Sequence, residues 1–196
     1  MAARARLLKE LKEASRGADD GIALSADERN IYLWTAVIQA RRAAVVSARR
    51  AFAAAAAEPS RDPTPHPRPP PPPHRHRHPP APQGPAGTPY AGGAFDLALT
   101  VPEAYPMEPP AARFRTRVFH PNVHFKSGEV CLDILKTAWT PAWTLAAVAR
   151  AVAALLAAPA ADSPLNCDAG NLLRAGDARG YAALARMFTA EHAAPR

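Results

Sequence analysis

The stretch His120-Pro121-Asn122-Val123-His124-Phe125-Lys126-Ser127-Gly128-Glu129-Val130-Cys131-Leu132-Asp133-Ile134-Leu135 has neither a helical nor a strand repeat of apolar residues. It reads as a loop dense in distinctive side chains, and it separates two patterns. Before it lie segments with period-two alternation. After it, Leu145, Val148, Val152, Leu155 and Leu156 recur at helical spacing in an alanine-rich segment ending near Pro159. Residues 171–173 and 178–190 read as further helices. Within the loop, Cys131 follows Asn122 by nine residues. A cysteine attacks as the thiolate and leaves as one, so it suits reversible acyl transfer. A carboxamide N–H stabilises charge developing on a carbonyl oxygen. On the residues alone the pair reads either way: nucleophile with oxyanion partner, or a small buried hydrophobe in an ordinary loop.

Working towards the N-terminus, Ala112 to Val118 is a candidate fourth strand, preceded by a proline-rich corner from Tyr105 to Pro110. Phe95, Leu97, Leu99 and Val101 alternate cleanly and predict a strand with one buried face. Residues 87–93 read as a turn, residues 31–39 as a β-branched and aromatic strand, residues 27–30 as a turn and residues 22–24 as a short strand. Residues 3–16 predict an amphipathic helix with Leu7, Leu8 and Leu11 as its apolar stripe, ended by residues 17–21. Trp34 and Tyr90 are expected in the core. The order helix, antiparallel strands, irregular loop, helices is an α+β layout.

The chain of 196 residues fits one domain with an appendage. Residues 40–83 hold eight arginines against Glu58 and Asp62, so they carry +6 of the formal +7. They also hold 12 of the 23 prolines, the alanine run 53–57 and the alternating run from His74 to His78. Such a segment buries too little apolar area to offset its ordering entropy and is expected to be disordered, with polyproline stretches. Its Arg, Pro and Ala bias is also what translated GC-rich noncoding sequence gives. It falls between two strands, where a longer loop costs only about 0.6 kcal/mol per doubling. The core domain is thus expected in residues 1–39 and 84–196. Its near-neutral balance argues against nucleic acid as a partner, and no metal is expected, the His/Arg run being composition bias. No apolar run approaches the roughly 18 residues of a membrane span, and residues 1–16 carry no signal-peptide core. Cys131 and Cys167 cannot make a disulfide framework, so a reducing intracellular compartment is expected.

Five motifs in order resemble those of the ubiquitin-conjugating enzymes: Thr88-Pro89-Tyr90-Ala91-Gly92-Gly93-Ala94-Phe95, Tyr105-Pro106-Met107-Glu108-Pro109-Pro110, His120-Pro121-Asn122, Cys131-Leu132-Asp133-Ile134-Leu135 and Trp139-Thr140-Pro141-Ala142. The resemblance covers residues 3–39 and 84–192. The loop has one more residue between Asn122 and Cys131 than is commonest in the family. With Asp162-Ser163-Pro164-Leu165-Asn166-Cys167-Asp168 and Gly170-Asn171-Leu172-Leu173-Arg174, it resembles the peroxisomal branch of plants and green algae, which modifies cargo-import receptors for recycling. The implied fold is an N-terminal helix, a four-stranded antiparallel meander, the active-site loop and C-terminal helices. A general cytosolic conjugator and a noncatalytic adaptor of the same fold are the rival readings.

The resemblance implies roles residue by residue. Cys131 carries ubiquitin as a thioester received from the ubiquitin-activating enzyme. Asn122 steadies the oxyanion or holds the loop. His120 is structural. Asp133 orients the incoming nucleophile or is a solvated charge. Ser163 occupies a gate position that is often acidic in the family, so base assistance from that side is doubtful; a thiol acceptor needs less of it than a lysine. Met107, Trp139, Pro141 and Ala142 form the docking surface for RING-type ligases, and Arg6 and Lys9 the basic face for the activating enzyme. Cys167 is expected to be structural. No cofactor is bound, ATP being used by the activating enzyme. The residues Ala194-Pro195-Arg196 are not a peroxisomal address, so recruitment to the cytosolic face of the peroxisomal membrane is expected to need an anchor protein.

Overall fold

The computed structural model describes residues 2–15, 21–39 and 88–194. The expected disorder of residues 40–83, with its basic run, lies outside the described residues. Helix α1 (Ala2–Ala14) is followed by strands β1 (Ile22–Ala26), β2 (Leu33–Gln39), β3 (Ala94–Thr100) and β4 (Ala111–Phe114). The strands form one antiparallel sheet in sequence order, the expected meander. A 3-10 turn spans Asp133–Leu135. Helices α2 (Leu145–Ala157), α3 (Cys167–Arg174) and α4 (Ala178–His192) complete the fold.

Gln39 pairs with Ala94, so the segment between them joins antiparallel neighbours. Trp34 opposes Leu99, Ala36 opposes Leu97 and Ile38 opposes Phe95, and all six are buried. This is the period-two face, and it shares one core with Leu7 of α1 and Leu145, Val148 and Val152 of α2. Thr144 caps α2 by accepting from the Ala147 amide, and Asn166 and Asp177 cap α3 and α4 in the same way.

Three expectations are corrected. First, the apolar stripe of α1 is Ala3, Leu7 and, unexpectedly, Glu10, with Leu11 at its edge; Leu8 is 51% exposed. Residues at i, i+4 and i+7 share a helix face, and Leu8 is turned about 100° off it. Second, β4 stops at Phe114 instead of reaching Val118. The Arg115 amide turns to the Asp96 carbonyl at 2.8 Å, and the Thr116 hydroxyl accepts from the Asp96 amide at 2.9 Å. Those bonds end the ladder. Third, Cys167, expected to be structural, is the exposed first residue of α3.

Glu10 is buried because its carboxylate is saturated. Oε1 accepts from Arg6 Nε at 2.6 Å and from the Tyr105 hydroxyl at 2.7 Å, and Oε2 from the Leu145 amide at 2.8 Å. A buried carboxylate is tolerable only with such partners. One side chain therefore ties α1 to the proline corner and to the start of α2. The corrected stripe has a direct test. Leu7→Ala should cost about 2–5 kcal/mol, and Leu8→Ala less than about 0.5 kcal/mol, in urea unfolding midpoints. Equal costs for the two would put Leu8 back in the core.

Candidate active site

His120 and the residues after it are fixed by groups far along the chain. The ring is fully buried against Tyr90, at 5.9 Å between centroids. Its Nδ1 accepts from the Asn122 amide at 3.1 Å, which leaves the proton on Nε2 to be donated to the Leu155 carbonyl at 3.0 Å. Burial pushes its pKa down to about 3, against a smaller upward pull from the Leu155 carbonyl. A ring held neutral this firmly anchors the loop to the end of α2. Tyr90 in turn donates to the Phe119 carbonyl at 2.7 Å and meets the Tyr181 hydroxyl at 2.7 Å. Burial raises both phenols, Tyr181 to about 12.

The next two residues hold a second loop. The Pro121 carbonyl accepts from the amides of Leu165 at 2.8 Å and Asn166 at 3.0 Å. The Asn122 carboxamide clasps Ala160: Nδ2 donates to its carbonyl at 3.0 Å and Oδ1 accepts from its amide at 2.9 Å. The segment from Ala160 to Asn166 therefore stands with both feet on His-Pro-Asn, and Asp162 and Ser163 are exposed between them. One N–H of Nδ2 is engaged by this clasp and the second is not used in it.

Cys131 lies beside Asn122 because the two segments run antiparallel. Val123 bridges Val130, and the Cys131 amide donates to the Asn122 carbonyl at 2.9 Å. The reversal between them uses Gly128 at φ +74°, where an added Cβ would collide with the Phe114 carbonyl. The Phe114 amide donates to the Gly128 carbonyl at 2.8 Å, and Val130 donates to Ala112 at 3.2 Å. The edge of the sheet thus continues into the loop and presents Cys131 half-exposed. After it, Ile134 is buried while Asp133 and Lys136 face solvent. Lys136 Nζ donates to Cys131 Sγ at 3.3 Å.

The two loops expected to dock ligases are side by side. Tyr105 and Trp139 rings lie 6.0 Å apart, and Trp139 Nε1 donates to the Pro106 carbonyl at 2.9 Å. Met107 is 73% exposed, and Pro141 and Ala142 are exposed. Trp139 is the joint between the loops, and the other three form their outer surface. On α1, Lys9 is exposed and 4.0 Å from Glu13, whereas Arg6 is half-buried against Glu10, which also raises its pKa. Sequence reasoning missed Glu10, Ala160 and Lys136. The place of Glu10 three residues after Leu7 was the available signal; backbone partners such as Ala160 leave none.

Three comparisons bear on this arrangement. A family model described as ubiquitin-conjugating enzyme matches residues 81–189. Protein PEROXIN-4 of Arabidopsis thaliana is 47% identical over 197 aligned residues, covering 100% of this chain and 98% of that protein. Ubiquitin-conjugating enzyme E2 pex4 of Dictyostelium discoideum is 57% identical over 107 residues, 55% of this chain and 72% of that protein. The crystal structure of H. polymorpha ubiquitin conjugating enzyme Pex4p, in complex with the soluble domain of Pex22p, matches with a TM-score of 0.72 at 26% identity, covering 100% of both chains.

The buried imidazole sets an acid limit. Below its ordinary pKa of about 6.5 the unfolded chain takes up a proton that folded His120 refuses until about pH 3. Stability should therefore fall as pH drops through that window, by about 1.5 kcal/mol from pH 6.5 to 5 from this residue alone. Urea titrations at the two pH values should show His120→Asn losing correspondingly less than the parent. An identical loss in both would assign the acid sensitivity to other groups.

Proposed function

The chain belongs to the ubiquitin-conjugating enzyme family, and from that premise we propose that Cys131 is the residue that carries ubiquitin as a thioester, in an enzyme of the peroxisomal branch. The observation that carries the site assignment is the Cys131–Asn122 pairing. It places a half-exposed thiol one backbone hydrogen bond from Asn122, whose carboxamide is fixed by Ala160. Cys167 is exposed too, but it sits at the start of a helix with no such neighbour among the hydrogen bonds of the described residues.

The chemistry follows in two acyl transfers. The Cys131 thiolate accepts the ubiquitin C-terminal carbonyl from the activating enzyme, which uses the ATP, so this chain needs no cofactor of its own. An acceptor then attacks the thioester. The remaining N–H of Asn122 Nδ2 is the donor for the oxyanion, and fixing it in advance by the Ala160 clasp lowers the reorganisation the step requires. Asp133, exposed next to the site, orients the acceptor; exposed Ser163 supplies no carboxylate. Met107, Pro141 and Ala142 are the surface for RING-type ligases, held together by Trp139. Lys9, with the outer guanidinium of Arg6, is the face for the activating enzyme.

Full-length similarity to PEROXIN-4 supports the peroxisomal branch; import receptors as substrates rest on the motif resemblance alone. Among the described residues no helix is long and apolar enough to cross a membrane. Recruitment to the peroxisomal membrane through an anchor protein is supported by the complex of the similar Pex4p with the soluble domain of Pex22p.

Charging with activating enzyme, ATP and ubiquitin tests the site. The parent and Cys167→Ser should form a thiol-sensitive adduct, and Cys131→Ser should give a thiol-resistant ester or none. A labile adduct that survives loss of Cys131 would overturn the assignment. For the second step, Asn122→Ala should still charge but discharge to free lysine about 100- to 1,000-fold more slowly in single turnover. Discharge at the parent rate would leave Asn122 as a scaffold only.

A further inference from the structure

Breaking a thioester develops charge at two atoms, the carbonyl oxygen and the sulfur. In the proposed mechanism Asn122 Nδ2 serves the oxygen. For the sulfur, the described residues hold one side-chain donor: Lys136 Nζ, 3.3 Å from Cys131 Sγ. The backbone keeps this lysine in place. The Leu135 amide donates to the Leu132 carbonyl at 2.9 Å, and the amides of Lys136 and Ala138 both donate to the Asp133 carbonyl, at 2.9 and 3.0 Å. Ile134 is buried and Leu135 packs against the core, so the turn is pinned from below while Lys136 stays on its solvent side. Glu129 and Asp133 lie two residues to either side of the cysteine, yet among the described residues Lys136 makes no ion pair. Its charge is left for the sulfur.

We propose that Lys136 is a catalytic residue of the transfer step: its ammonium donates to the Cys131 sulfur as the C–S bond breaks and steadies the departing thiolate. The proposal rests on the reading of Cys131 as the thioester carrier. An acceptor nitrogen gives its electron pair to the thioester carbonyl carbon, and the carbonyl becomes an oxyanion. When the oxyanion collapses, the C–S electron pair passes to sulfur and the surplus proton on nitrogen passes to water. Thioester and amine become amide and thiolate, with no further reactant. Along this step the sulfur changes from a weak, neutral acceptor to an anion. The bond from Nζ therefore strengthens as the reaction proceeds, and only an interaction that is stronger in the transition state accelerates it. A hydrogen bond between two ionised partners belongs to the stronger class. Exposure keeps the gain modest: two unit charges in contact in water are worth about fivefold in rate.

The test compares Lys136→Gln with Lys136→Arg. Neither variant carries an amine at position 136, so the comparison isolates the cation. The full chain is charged with activating enzyme, ATP and ubiquitin, and the activating enzyme is stopped by chelating magnesium. The thioester is then treated with hydroxylamine in single turnover at pH 7. Hydroxylamine is uncharged, so the cation does not repel it. It is also weakly basic, which makes expulsion of the sulfur the demanding step. A thioester in both variants establishes the carrier reading separately. Lys136→Arg should then discharge about fivefold faster than Lys136→Gln at low salt. The gap should narrow to about twofold in roughly 0.5 M salt, where screening reaches almost to contact distance. Equal rates in the two variants would overturn the proposal. So would a gap that salt leaves unchanged, because a change in packing is not screened.

Discussion

The short post His120-Pro121-Asn122 holds four other segments through its side chains and carbonyls, and the geometry of the site depends on it. The imidazole holds the end of α2 through the Leu155 carbonyl, the Pro121 carbonyl holds the approach to α3, the Asn122 carboxamide holds Ala160, and the Asn122 carbonyl holds Cys131. Each bond is worth only about 1 kcal/mol net. Because they converge on three consecutive residues, none moves alone. Proline suits the middle position, since its fixed φ narrows the post while its carbonyl still accepts. The ring between them stays neutral through the range in which an exposed histidine would titrate, so the post keeps its shape.

A second convergence, on Glu10, performs the same service at another end of the domain. A carboxylate among leucines would be untenable alone. With Arg6, Tyr105 and the Leu145 amide around it, it becomes a three-way joint. Burial, and next the carboxylate itself, push the Tyr105 phenol far above its ordinary range, so it remains a donor. Tyr105 lies against Trp139, which bonds Pro106. The helix carrying Lys9 and the loops presenting Met107, Pro141 and Ala142 are therefore connected through one buried charge. A surface built of two loops needs such a connection to keep a constant shape for a partner.

The site itself is made by an edge. Strand β4 ends early, yet its hydrogen bonding passes to Gly128 and Val130 across the loop. The active-site segment is thereby an irregular extension of the sheet, which ties Cys131 to Asn122 through their backbones and leaves the sulfur half-exposed. The reversal at residues 124–129 is closed locally: the Gly128 amide donates to the His124 carbonyl and the Ser127 hydroxyl meets His124 Nδ1.

The sequence by itself determined the elements and their order, because periodicity is local. Alternation at Phe95, Leu97 and Leu99 is a buried strand face whatever it packs on. The motif residues, too, were legible as candidates for chemistry. Tertiary structure alone decided what they touch. Asn122 meets Ala160 at a separation of 38 residues, and Glu10 meets Leu145 at 135. Those partners are backbone groups, which every residue carries, so no side-chain pattern marks them. The same holds for Leu8 and Arg6: a stripe of leucines and a cluster of cations were visible, but helix rotation against the sheet chose which leucine is buried and which cation is occupied. Lys136 came within reach of Cys131 only because a buried Ile134 turned the chain between them.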